Sequence, residues 1–129
     1  MDDTRYQRGL KILQELHGEA IEHLIEGLAD IAPDLGRYTV EFPFGDVYAR
    51  PGLDLKSREL ATVSALIALG YALPELKVHL NAALNVGWTR AEMVEVITQM
   101  AVYAGFPAAL NAIAAAREVF KERDRQGKS

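Results

Sequence analysis

The chain has 129 residues, half of them apolar and a quarter charged, which is ordinary for a globular protein. Its formal net charge of -4 argues against a nucleic-acid partner, because phosphate binding needs a basic patch. The lack of cysteine excludes disulfides, thiolate catalysis and thiolate metal sites. The length predicts one domain over residues 1–129. Since we find no secretory signal and no apolar stretch long enough to span a bilayer, we expect a cytoplasmic protein without a membrane partner.

Apolar residues recur at helical spacing along most of the chain. They predict one or two helices over residues 5–31, with a candidate break at Gly18. Pro33 opens a further segment, which Pro43 and Gly45 make irregular in its middle. More helices are predicted over about residues 55–69, 74–86, 90–104 and 107–123. No strand is predicted, so the fold class is all-α, a bundle of six or seven helices.

The helix that starts at Pro74 carries the most informative polar residues. A helical projection places His79 inside the apolar arc with Glu75 beside it, at a spacing of i and i+4. Burying such groups unpaired is costly, so they should partner each other or another polar group. A buried Glu–His pair can poise a proton-transfer group. The alternative is a structural core histidine bonded to Glu75 or to a backbone carbonyl, and two ligands are too few to predict a metal site.

The segment from Phe42 to Arg50 is the second candidate. Its aromatic residues, including Tyr48, are either ordinary core or the wall of a pocket beside Arg50, whose guanidinium suits an acidic substrate. Glu59 follows in the first turn of the next helix, where a carboxylate is favourable without any functional role.

Three ordered stretches resemble motifs of the carboxymuconolactone decarboxylase family. They are FGDVYARPGLDLKSREL at residues 44–60, ELKVHLNAALNVG at 75–87 and QMAVYAGFPAALN at 99–111. The likeness covers nearly the whole chain, from about residue 5 to residue 120. It implies an AhpD-like helical bundle that assembles as a homo-oligomer, a trimer or hexamer. The alanine-rich last helix agrees with close packing.

The AhpD-like peroxidases related to this family carry Cys-x-x-Cys followed by three residues and a histidine. In this sequence the histidine corresponds to His79, but the two cysteine positions are Ala72 and Glu75. A peroxidase cycle needs one thiolate to attack the peroxide and a second thiol to resolve the product. We therefore reject peroxidase activity.

The decarboxylase branch implies cofactor-independent decarboxylation of γ-carboxymuconolactone or a similar small acidic lactone, in aromatic catabolism by the β-ketoadipate pathway. No metal and no organic cofactor is implied. On this hypothesis His79 is the general acid and Glu75 orients it. Arg50 binds a substrate carboxylate, with Tyr48 and Glu59 as further substrate-binding candidates.

Two alternatives stay open. One is a relative that uses the same pocket on another small acidic lactone or enol. The other is a non-catalytic binding or assembly domain that kept the fold and lost the activity, because fold alone does not fix chemistry.

Overall fold

The computed structural model describes residues 4–129, and within them the chain forms helices and turns without a β-strand. These residues contain seven α-helices, which confirms the predicted all-α class. They divide into two compact units, the first ending at Leu55 and the second running from Lys56 to Ser129, and each is described by itself. The expectation of one domain over the whole chain stays a prediction.

The first unit contains three α-helices and two short helical segments of other types. They are α1 (Thr4–His17), a 3-10 turn (Gly18–Ala20), α2 (Ile21–Ala29), α3 (Pro33–Val40) and a π-helical segment (Glu41–Tyr48). Gly18 has φ +62, a conformation that side-chain-bearing residues avoid, and it confirms the predicted break. Pro33 occupies the first turn of α3 because that turn needs no N–H from it.

The end of α3 and the π-helical segment both lie close against α1, and two glycines make the approach possible. A Cβ on Gly9 would lie 2.3 Å from the carbonyl oxygen of Val40, and one on Gly45 would lie 2.3 Å from that of Arg5. A hydrogen bond from a charged side chain adds to this contact, because Arg8 Nε donates to the Gly45 carbonyl at 2.6 Å. The predicted irregularity around Pro43 and Gly45 is therefore a change of helix type that closely fits α1.

The second unit contains α4 (Leu55–Leu69) from its second residue onwards, α5 (Leu73–Asn85), α6 (Arg90–Ala104) and α7 (Phe106–Arg125). Its core combines large side chains of α4, α5 and α6 with alanines of α7. The members include Val63, Ile67, Leu76, Leu80, Met93, Ile97, Ala109, Ala112, Ala115 and Ala116. Small side chains let a helix axis approach its neighbours closely, so the alanine stripe of α7 is used inside this unit.

The ends of these helices follow local sequence signals. The predicted capping box is present at α6, where Thr89 Oγ1 accepts from the Glu92 N–H and Glu92 Oε1 accepts from the Thr89 N–H. Gly105 alone joins α6 to α7 with φ +95. Tight connections of this kind set the direction of each following helix.

Arg123 on α7 is a buried charge that sequence reasoning did not single out. Its Nη1 donates to Asn81 Oδ1 and Asn85 Oδ1, both at 3.1 Å, and its Nε donates to the Ser129 carbonyl at 2.9 Å. Burial, followed by the nearby charge of Arg90, lowers its pKa from the ordinary arginine value. Arg123 thus ties α5, α7 and the last residues together.

Across residues 4–129, no helix is both long enough and apolar enough to cross a lipid bilayer.

Candidate active site

A carboxylate from α4 and an imidazole from α5 meet in the second unit. Glu59, Val63 and Ile67 are the buried residues of α4, and their four-residue spacing puts all three on one stripe of the helix. Glu59 therefore faces the interior although it is charged. His79 is on α5, where Leu76 and Leu80 on either side of it are fully buried. The packing of these two helices brings Glu59 and His79 together.

The contact is a hydrogen bond of 2.9 Å between Glu59 Oε1 and His79 Nδ1. The Glu59 side chain has no exposed surface, whereas 16% of the His79 side chain is exposed. Glu59 Oε2 is also buried and has no hydrogen-bond partner in the structure. Solvent thus reaches part of the His79 side chain and none of the Glu59 side chain.

The charge of Glu59 decides which imidazole nitrogen carries the proton. When Glu59 is ionised it only accepts hydrogen bonds, and Nδ1 is then the nitrogen that donates to it. Nε2 is then the nitrogen that exchanges a proton with other groups. A buried carboxylate also stabilises the positive charge that the ring acquires when Nε2 is protonated. The pair is suited to move one proton at His79 Nε2.

Of the two alternatives left open for His79, the structure shows another polar group as the partner and not Glu75. Glu75 is one turn before His79 on α5, but it is exposed, and its carboxylate forms no hydrogen bond with the imidazole. The helical projection placed Glu75 beside His79 and pointing inward, whereas the structure exposes it. Glu59, predicted only as a substrate-binding candidate, occupies the position expected for Glu75.

Tyr48 and Arg50 belong to the first unit. Tyr48 ends the π-helical segment, where it is half-buried and its ring centroid lies 4.8 Å from that of Phe44. Arg50 follows after one residue and is exposed, with its backbone N–H donating to the Val47 carbonyl at 3.1 Å. Their predicted roles in substrate binding stay predictions.

Sequence reasoning missed Glu59 as the partner of His79, although a signal was present. A charged residue that continues the four-residue apolar spacing of a core helix, as Glu59 does with Val63 and Ile67, is placed in the interior. A buried carboxylate needs a polar partner, which points to the nearest inward-facing polar residue.

The described residues thus form an all-α fold in which a buried carboxylate is hydrogen-bonded to a partly exposed histidine. The sequence matches the carboxymuconolactone decarboxylase family over residues 33–118. The chain belongs to this family, which confirms the resemblance seen in the three motifs.

Individual relatives agree with this membership. The chain is 39% identical to the 4-carboxymuconolactone decarboxylase of Acinetobacter baylyi, over 94% of this chain and 90% of that protein. It is 28% identical to the nitrosuccinic acid decarboxylase of Metarhizium robertsii, over 95% of this chain and 85% of that protein. It is also 32% identical to an uncharacterised 15.0 kDa protein of Paracoccus denitrificans, over 94% of each. Two of these three relatives are named as decarboxylases, in agreement with the predicted class of carboxy-lyase.

Proposed function

We propose that this chain catalyses the cofactor-independent decarboxylation of γ-carboxymuconolactone, or of a similar small acidic lactone, in aromatic catabolism. The observation that carries the proposal is the hydrogen bond between the buried Glu59 carboxylate and the solvent-accessible His79 imidazole. The identity of 39% to a 4-carboxymuconolactone decarboxylase over 94% of the chain supports the choice of substrate.

The reaction needs one proton and no redox partner. The bond between the γ carbon of the lactone ring and its carboxylate breaks, and carbon dioxide leaves. The electron pair of that bond delocalises through the ring alkene onto the lactone carbonyl oxygen. A ring carbon then takes one proton, which gives the decarboxylated enol-lactone. The enzyme accelerates this sequence if it stabilises the developing anion and delivers that proton.

The Glu59–His79 pair supplies the proton in this proposal. The protonated imidazole donates from Nε2 to the ring carbon and regains a proton from water. Glu59 holds the ring through Nδ1 and stabilises its positive charge before the transfer. Glu59 thereby takes the orienting role that the sequence assigned to Glu75.

Recognition of the substrate carboxylates is proposed for Arg50, with Tyr48 beside it in sequence. A guanidinium binds a carboxylate through two parallel N–H groups, which lysine cannot reproduce. The support is the exposure of Arg50 and its place in the motif of residues 44–60. Replacing Arg50 with Lys should raise KM for the lactone by about tenfold with a smaller change in kcat, since the lost contact is present before and during the reaction.

A second substrate is favoured by the relative named as a nitrosuccinic acid decarboxylase. In that acid a nitro group can accept the electron pair left by carbon dioxide, as the lactone carbonyl does in the first substrate. Both reactions end with protonation of carbon, so the same Glu59–His79 pair serves either. The higher identity to the lactone decarboxylase favours the lactone as the first substrate to test.

The test is a spectrophotometric assay of purified protein with each substrate, at equal enzyme concentration. We expect loss of the lactone absorbance without added metal or cofactor, and at least a hundredfold lower kcat for His79→Gln. Glu75→Gln is the matched control, because Glu75 is a carboxylate on the same helix without a bond to His79. A His79→Gln variant that turns over like the parent protein would contradict the proposal, as would a parent protein inactive on both acids.

Measurement of the molecular mass of the protein in the same buffer tests the proposed trimer or hexamer.

A further inference from the structure

The residues just after α5 form a contact with the start of α4 that the proposed mechanism does not use. The indole Nε1 of Trp88 donates to the Lys56 carbonyl oxygen at 2.8 Å. The Nζ of Lys56 also lies 4.6 Å from the centroid of the Trp88 ring. One indole therefore engages both the backbone and the ammonium group of a single lysine.

Backbone hydrogen bonds fix Trp88 to the end of α5. The backbone N–H of Trp88 donates to the Ala83 carbonyl at 3.0 Å, and the backbone N–H of Gly87 donates to the Leu84 carbonyl at 3.2 Å. Gly87 has φ +112, which turns the chain back towards α4 and which a side chain would strain. The Trp88 ring also packs against the core of the second unit. The indole is thus a fixed extension of α5.

Lys56 is the second residue of α4, and Glu59 follows it by three residues. This separation is about 4.5 Å along the helix axis, less than one full turn. Two side-chain hydrogen bonds therefore join α4 to the α5 region, Glu59 with His79 and the Lys56 carbonyl with Trp88. Their order along the two helices is that of an antiparallel pair.

We infer that Trp88 is a positioning residue that holds α4 in the register at which Glu59 meets His79. The kinetic test of this inference rests on the proposed function. The Glu59 side chain is fully buried. Its contact with the imidazole therefore depends on where α4 itself lies. A displacement of about 1 Å is enough to take a 2.9 Å hydrogen bond out of range and to lower a rate about a hundredfold.

Three variants separate the indole hydrogen bond from the other effects of this contact. Trp88→Phe removes the N–H donor and keeps an aromatic ring over Lys56. Lys56→Gln removes the ammonium group and keeps the carbonyl acceptor. Val119→Ala lowers stability through the α7 part of the same core without removing either of the two hydrogen bonds, and controls for a general loss of stability.

The first readout needs no substrate. The imidazole 15N shifts report the protonation and hydrogen bonding of each histidine, and His79→Gln identifies the signal of His79 among the three histidines. We expect Trp88→Phe to move the Nδ1 signal of His79 towards its position in Glu59→Gln. Lys56→Gln and Val119→Ala should leave it in place. A His79 signal that is unchanged in Trp88→Phe, or that moves equally in Val119→Ala, would overturn the inference.

The second readout is kinetic. Trp88→Phe should lower kcat by about ten- to a hundredfold with KM changed less than about threefold, because Arg50, the residue proposed to bind the substrate, lies on neither α4 nor α5. Lys56→Gln should stay within about threefold of the parent protein in both constants. A rise in KM with normal kcat in Trp88→Phe would overturn the positioning role. If the parent protein decarboxylates neither substrate, the proposed function fails and the NMR measurement still decides the role of Trp88.

Discussion

Glu59 Oε1 lies 2.9 Å from His79 Nδ1, and the Glu59 side chain that makes this bond has no contact with solvent. The second oxygen of the same carboxylate is buried without a hydrogen-bond partner. Leaving a buried acceptor unsatisfied typically costs about 1–3 kcal/mol. The buried Glu59 carboxylate therefore lowers stability while serving its proposed role beside His79. Variants of Glu59 separate the effect on stability from the effect on activity.

Glu59→Gln should lower kcat by about ten- to a thousandfold while the protein stays folded, because the amide keeps an acceptor for Nδ1 but no longer stabilises the charged imidazole. Glu75→Gln replaces an exposed carboxylate on α5 with an amide, and it should leave kcat within about twofold of the parent value. The measurement is steady-state decarboxylation at saturating substrate. A larger loss for Glu75→Gln than for Glu59→Gln would restore the pairing that the sequence suggested.

Glu59→Met should stabilise the second unit by about 1–2 kcal/mol while abolishing most activity, because a hydrophobic side chain of similar size replaces a buried carboxylate that has an unsatisfied oxygen. The cost of losing its partner is reduced at His79 because 16% of its side chain is exposed. Urea unfolding followed by circular dichroism gives the change in free energy of unfolding. A loss of stability in Glu59→Met would mean that the hydrogen bond with His79 outweighs the burial of the charge.

Gly9→Ala should destabilise the first unit by about 2 kcal/mol, because the new methyl group would sit 2.3 Å from the Val40 carbonyl and the helix must move away. Gly27→Ala on α2 is the matched control, since its methyl group meets no atom within 4 Å. That substitution should stabilise by about 0.5–1 kcal/mol through the lower flexibility of the unfolded chain. Thermal unfolding of both variants checks the pair, and equal effects would refute the close approach of α1 to Val40.

The Asp46 carboxylate gives the first unit a pH-dependent contribution to stability. The hydrogen bond from Arg5 holds the pKa of Asp46 below its ordinary value of 3.8, aided by the charge of Arg8 and opposed by burial. The stabilisation is therefore complete above the unfolded pKa and is lost as the pH falls through the lower folded value. The Tm difference between the parent protein and Asp46→Asn should be constant above about pH 5 and shrink below about pH 4. A difference that stays constant down to about pH 2 would argue against this contact.

The helices of this chain were largely predictable because their signals are local. Pro33, Gly18 and the capping box of Thr89 and Glu92 each act within one turn, and the structure has them where the sequence placed them. The π-helical segment was predicted only as an irregularity. Its helix type depends on the fit of Gly45 against α1, which is a contact between distant residues.

The candidate site was predictable in its histidine and not in its acid. His79 stands out because an imidazole inside an apolar arc is visible from one helix alone. Its partner lies 20 residues earlier on another helix, so a projection of α5 offered only Glu75. Choosing Glu59 requires knowing which face α4 turns towards α5, and that follows from tertiary packing.

The environment of Arg123 has a practical consequence for anyone who handles the protein. Three of the oxygens around this buried guanidinium come from Asn81, Asn85 and Ser129, and the Lys128 N–H bonds back to the Arg123 carbonyl at 2.9 Å. Removing Lys128 and Ser129 would therefore take away the acceptor of Arg123 Nε and leave the guanidinium with the two asparagine oxygens. An affinity tag is better attached before α1 than in place of these residues.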